Sequence, residues 1–236
     1  MQIDPINSPH PVPWCWILAA HGAAAVASRP QTHYYRSASL RSPDQQWVAY
    51  SRICLQVTPE LHTSQVSSVL MVENLSTGSL QGIQPALPLD LQWDQPLDAS
   101  SAPAYVPSSS ARMAGEIDLV IPISWDRKGD RLLARNFRGA FCSSFASDYA
   151  LIWDSHTGAH RTLAPGNVAY EYAVLQGWSQ NYPDQVLFKT AKLGDRHQHL
   201  WRVDDAGYAL PSAFDEAEVL GQIIATPLEG PQAIKA

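Results

Sequence analysis

Two histidines one residue apart, in the run Asp195-Arg196-His197-Gln198-His199, form the clearest metal-ligand pattern in the chain. On an extended strand such a pair projects to one face, where two imidazoles can share a cation. A third ligand then has to come from elsewhere, with Asp148 and His62 as candidates. The opposing reading is that alternating histidines at a loop–strand junction are surface or interface residues. His156 and His160 flank Thr157-Gly158 and read as turn-exposed side chains, while Asp204-Asp205 and Asp215-Glu216 read as caps on backbone N–H groups.

Other catalytic patterns do not fit. A serine-hydrolase elbow needs G-x-S-x-G between a strand and a helix, and the nearest string, Gly177-Trp178-Ser179-Gln180-Asn181, lacks that spacing. Neither the phosphate-cradling G-x-x-x-x-G-K nor the dinucleotide G-x-G-x-x-G occurs. No cofactor is expected. Binding without catalysis is the better expectation, and the residues assigned to a partner surface are Arg138, Phe141, Phe145, Asp148, Arg196, His197 and His199. Phenylalanine and arginine on loops over a rigid scaffold are common hot-spot residues. The alternatives are a metal-dependent enzyme and a small-ligand or carbohydrate binder, the latter requiring a concave pocket lined by Trp and polar groups.

The elements that position these residues repeat. SPDQQWVAYSR (42–52), SWDRKGDRLLARNF (124–137) and GWSQNYPDQVLFKT (177–190) each read as strand, turn and strand. Each is followed by a second hairpin closed at a glycine: VLMVENLSTGSLQGI (69–83), YALIWDSHTGAHRTL (149–163) and HLWRVDDAGYAL (199–210). Alternating residues, proline and aspartate in the first turns, and glycine in the second make these hairpins physically consistent. Three units of about four strands are therefore expected over 31–83, 115–163 and 168–210. Short turns then fall at one end, at 42–45, 126–129, Thr77-Gly78, Thr157-Gly158 and Ala206-Gly207, and longer loops at the other, at 54–67, 138–148 and 191–198.

The SPD-x-x-W-V-A-Y-S-R stretch and the N-L-S-T-G turn resemble the repeats of TolB-like β-propellers and, more broadly, WD-like repeats. The resemblance is strongest over 42–83 and departs from the usual pattern at Gln45, where glycine commonly stands, whereas Gly129 keeps the glycine. It implies blade-like units with protein-binding or scaffold roles and carries no catalytic residue with it. A kinship with conserved cyanobacterial proteins is also expected and implies no activity.

The fold class expected is thus all-β, with three four-stranded blade-like antiparallel units in an open or incomplete β-propeller, and a β-sandwich as the alternative. Three units are too few to close a ring, so the assembly is either plugged by the N-terminal segment or completed by another chain, which makes a homo-oligomer an open option. Residues 1–30 form an N-terminal segment and 31–210 the β domain, with a Pro/Ser-rich connector at 84–114. Residues 211–236 form a closing strand and tail, and 214–220 is a candidate short helix.

Composition narrows the partners. With 16 Lys and Arg against 22 Asp and Glu, a net charge of -6 and no basic cluster visible in the sequence, a nucleic-acid partner is not expected. Three cysteines without a C-x-x-C pair suggest neither zinc nor a disulfide framework. The apolar run WCWILAAHGAAAVA at 14–27 has the look of an export signal, but the residues before it contain no Lys or Arg and carry Asp4 and several prolines. It is expected to be a short helix or strand packed on the body of a cytoplasmic protein, with export as the alternative. It is too short to span a bilayer as a helix.

Overall fold

The computed structural model describes Pro11 and residues 14–85, 114–225 and 228–229. The sequence 14–27 forms α1 (Trp14–Ala27). Alanine-rich composition favours the helix, and its end is chemically defined. Ser28 adopts φ 50°, the Ser28 N–H donates to the Ala25 carbonyl and the Arg29 N–H to that of Ala24. This is a Schellman closure with serine at the left-handed position, and Pro30 follows it. Ile17, Ala20 and Ala24, on one face, are buried in the core. Among the described residues no helix is long and apolar enough to cross a membrane.

Apart from one short 3-10 turn at Leu61–Thr63, the other regular elements among the described residues are strands, so the protein is all-β. The first group is β1 (Gln31–Arg36), β2 (Ser39–Arg41), β3 (Trp47–Val57), β4 (Gln65–Asn74) and β5 (Leu80–Ile83). The second is β6 (Glu116–Trp125), β7 (Arg131–Ala140), β8 (Ala146–Asp154) and β9 (His160–Leu163). The third is β10 (Tyr172–Ser179), β11 (Val186–Ala191), β12 (His199–Val203) and β13 (Ala209–Pro211), followed by β14 (Ala217–Glu218), β15 (Gln222–Ala225) and β16 (Leu228–Glu229).

Each group is an antiparallel meander. β1 and β2 are two halves of one bent edge, pairing with the two halves of β3, after which β3–β4–β5 continue in order. β6–β7–β8–β9 and β10–β11–β12–β13 follow the same scheme. The first two meanders do not remain separate sheets. β4 and β6 pair in parallel at Val66–Ile117 and Ser67–Asp118, merging them into one 11-stranded sheet, while the third meander belongs to a 5-stranded sheet.

Several expectations are corrected. The C-terminal region is not one closing strand, and 214–220 is not helical: β14 pairs with β10, Leu220 bridges to Trp125, β15 pairs with β2 and β16 with β1. The tail therefore straps the first strands of all three meanders together. The long loops are shorter than expected, because β3 runs to Val57, β4 starts at Gln65, and β7 and β8 reach Ala140 and Ala146. Arg138 and Asp148 thus lie within strands. Nearly all of the 84–114 connector lies outside the described residues.

Three apolar clusters hold the arrangement. One joins α1 to β1, β3 and β6 through Ile17, Tyr35, Leu55 and Leu119. A second lies between the first two meanders around Leu70, Val72, Leu132, Trp125 and Trp153. The third lies between the second and third meanders around Leu133, Ile152, Leu175 and Phe188.

Candidate functional site

The short-turn end is built by repeated local chemistry. In the first hairpins, the Ser42 N–H donates to the Trp47 carbonyl and the Asp126 N–H to that of Arg131, a matching five-residue closure. The fourth position is left-handed in both, Gly129 at φ 83° and Gln45 at φ 64°. Gln45 therefore accepts the strained conformation that glycine takes in the second unit. In the second hairpins Asn74 Oδ1 accepts from the N–H groups of Ser76 and Thr77, Asp154 Oδ1 from those of His156 and Thr157, and Asp204 Oδ1 from those of Ala206 and Tyr208. Gly78, Gly158 and Gly207, at φ 67° to 81°, close these Asx turns.

Burial alone pushes the Asp154 carboxyl up, but the Thr157 N–H and hydroxyl, the His156 N–H and the nearby imidazole outweigh it and hold the group below its ordinary range.

The repetition extends to how one meander docks on the next. Val120 of β6 donates its N–H to Ser68 Oγ at 2.6 Å and accepts from the Ser51 hydroxyl. Leu175 of β10 donates its N–H to Asp148 Oδ2 at 2.8 Å and accepts from Arg135 Nη2 at 3.3 Å. Ser51 and Arg135 each lie nine residues after their turn residues Ser42 and Asp126, and Ser68 and Asp148 each lie six before Asn74 and Asp154. Equivalent positions thus satisfy the backbone of the next unit, once with hydroxyls and once with an ion pair whose Nε–Oδ2 distance is 2.8 Å.

This geometry decides the fate of the predicted partner residues. Asp148 is 1% exposed and bound to Arg135 and β10, so it is an internal counter-ion and is available neither to a partner nor to a metal. Phe141 is 5% exposed and meets Trp14 edge-on with ring centroids 6.1 Å apart, because α1 lies over the loop that carries it. Arg138 is half-buried and pairs with Glu116 at 2.6 Å. Phe145 is half-buried, and Arg196, His197 and His199 are exposed. His199 opens β12 opposite Thr190, but His197 sits in the preceding loop, so the two do not alternate along one strand as expected. Among the described residues no three His, Cys, Asp or Glu side chains gather in a way that could hold a metal ion.

The segment 14–27, expected as a short helix or strand packed on the body, is α1. It spans the loops of the first two meanders, with His21 Nε2 on the Pro59 carbonyl at 3.0 Å and Trp16 stacked on Tyr35 at 4.0 Å. The run 14–27 is apolar on every side, so burying one stripe leaves another in water. Leu18 is 59% and Val26 90% exposed, with Ala19, Gly22 and Ala23 exposed between them and Cys15 exposed one turn before.

At the opposite end a cleft of about 390 Å³ opens between the second and third meanders, lined by Asp126, Arg131, Asp154, Trp178, Asp184 and Glu218 among others. Arg131 is pulled down by burial, but the Asp126 hydrogen bond and the Asp184 and Asp126 charges more than reverse this and secure its positive charge. Its guanidinium lies 5.0 Å from the Trp178 ring. The Trp178 indole N–H is buried and has no acceptor among the described residues.

The chain matches no family model, no curated protein and no solved structure.

Proposed function

We propose that this chain is a non-catalytic protein-interaction module, its three meanders acting as blade-like units of an open propeller of the TolB-like or WD-like kind, and that it meets its partner at the long-loop end. The observation that carries this reading is the exposed apolar stripe of α1, laid across the loops of the first two meanders. Contiguous apolar surface of this kind on a polar-sided β protein marks an interaction site. The arginine and histidines first assigned to the partner surface, Arg196, His197 and His199, lie at the same end of the third meander's strands.

A pull-down comparing the wild type with a Leu18→Asp, Val26→Asp variant tests the reading. Both side chains point away from the core, so melting is expected to be unchanged while partner recovery is lost. Recovery of the same partners by both forms overturns it. A second reading, small-ligand binding, is favoured by the cleft between the second and third meanders, where Trp178 and ionic groups share a concave wall.

A further inference from the structure

We propose that the outer face of β1, β2 and β3, on which Arg36, Arg41 and Arg52 stand, is a docking surface for an acidic segment of a partner protein, gripped by Arg36 and Arg41. The strand register places all three on one face. Arg36 of β1 and Arg52 of β3 are direct Cα partners, and Arg41 of β2 is opposite Val48. Along β3, Val48, Tyr50 and Arg52 alternate with Ala49, Ser51 and Ile53, which face the core. The three guanidinium-bearing positions thus flank Tyr50 within about 13 Å of strand, and the Arg36 guanidinium lies 3.7 Å from the Tyr50 ring centroid.

Like charges directly opposite on a sheet repel, so Arg36 facing Arg52 violates a local rule. Arg127, Arg131, Arg135, Arg138 and Arg161 all pair with carboxylates. Among the described residues none pairs with Arg36 or Arg41. Arg36 donates to Ser39 Oγ at 3.0 Å, and the buried Nε groups of Arg36 and Arg41 have no acceptor among the described residues. Glu73, opposite Val48, shares the face and forms no ion pair with the described residues. The arginine stems do cover Val48 and Tyr50, as such stems commonly do. That accounts for the packing and leaves Arg36 and Arg41 with no carboxylate partner among the described residues.

The repeat supplies the second argument. Val48, Tyr50 and Arg52 occupy the places that Leu132, Ala134 and Asn136 take in the second meander, counted from Ser42 and Asp126. Leu132 and Ala134 are the residues by which that meander packs on the first. Among the described residues, the first meander therefore presents its own unit-docking face with no unit on it, and half-buried arginines stand there.

In a chain of net charge -6 this basic face selects an acidic occupant. A polypeptide fits better than nucleic acid. Tyr50 is buried under Arg36 and offers no platform for a base, whereas Val69 and Met71, opposite Arg52 and Tyr50 on β4, are half-buried apolar neighbours for interspersed side chains. This inference concerns a different surface from the α1 stripe and stands independently of it.

The test is fluorescence anisotropy of the full chain with a short labelled peptide alternating glutamate and leucine. Binding should weaken as salt rises, and an Arg36→Gln, Arg41→Gln variant should bind about tenfold more weakly or worse. In parallel, the peptide should protect Arg36 and Arg41 of the wild type from phenylglyoxal, read by mass spectrometry, which keeps the test decisive if the variant does not fold. No binding, equal affinity in a folded double variant, unprotected arginines, or tighter binding of a single-stranded oligonucleotide at the same salt would each overturn the proposal.

Discussion

The two inter-meander junctions use equivalent positions with different chemistry. At the first, Ser51 and Ser68 satisfy both backbone groups of Val120, beside a stretch where β4 and β6 pair directly. At the second, Arg135 and Asp148 satisfy Leu175, and the two meanders belong to different sheets. A hydroxyl is short and neutral, so it suits strands close enough to share a ladder. A guanidinium and a carboxylate neutralise each other when buried, and beside them a hydroxyl still spans the second junction, Ser147 Oγ accepting from the Ala173 N–H at 3.1 Å. One repeat position thus carries either chemistry, and the junction with the ion pair is the one that opens into the cleft at its far end.

Removing one partner of the charged junction should have the largest effect. Asp148→Ala removes the carboxylate 2.8 Å from the buried Arg135 guanidinium and should cost about 3–5 kcal/mol in denaturant unfolding. Replacing Arg135 and Asp148 together by Met and Leu should recover most of that loss, and a double variant as unstable as Asp148→Ala would show that Leu175 requires charged partners.

The neutral junction should be more forgiving. Ser68→Ala leaves the Val120 N–H without its acceptor and should cost about 1–3 kcal/mol, less than Asp148→Ala under the same conditions. A larger loss than at Asp148 would reverse the order proposed for the junctions.

The smallest effect belongs to the turns. Asp154 is held below its ordinary range, so its contribution is present above the unfolded-state value and is lost as pH falls through the lower folded-state value. Asn74 makes the corresponding turn with an amide. Asp154→Asn should therefore flatten the acid limb of the stability profile and change neutral stability little. An unchanged acid limb would remove Asp154 from that role.

Much of this was legible in the chain. The S-P-D and D-R-K-G turns, the N-L-S-T-G and D-S-H-T-G closures and the alternation between them foretold three antiparallel meanders, because turn geometry and strand period are local properties. The site was far less legible. Phe141 and Asp148 carry residue types suited to binding, yet one is covered by α1 and the other is consumed by Arg135, contacts between residues distant in sequence. Arg36, Arg41 and Arg52 lie apart in the sequence, and only a strand register could place them around one tyrosine.

By itself, then, the sequence determined where strands begin and turn, since hydrogen-bonding side chains and left-handed positions act within a few residues. Tertiary structure decided that β4 joins β6, that the C-terminal residues strap the first strands of all three meanders, and which face of each strand meets a neighbour. Those outcomes depend on which apolar stripes find each other in space, and the period of two within one strand does not say which of its faces another strand will cover.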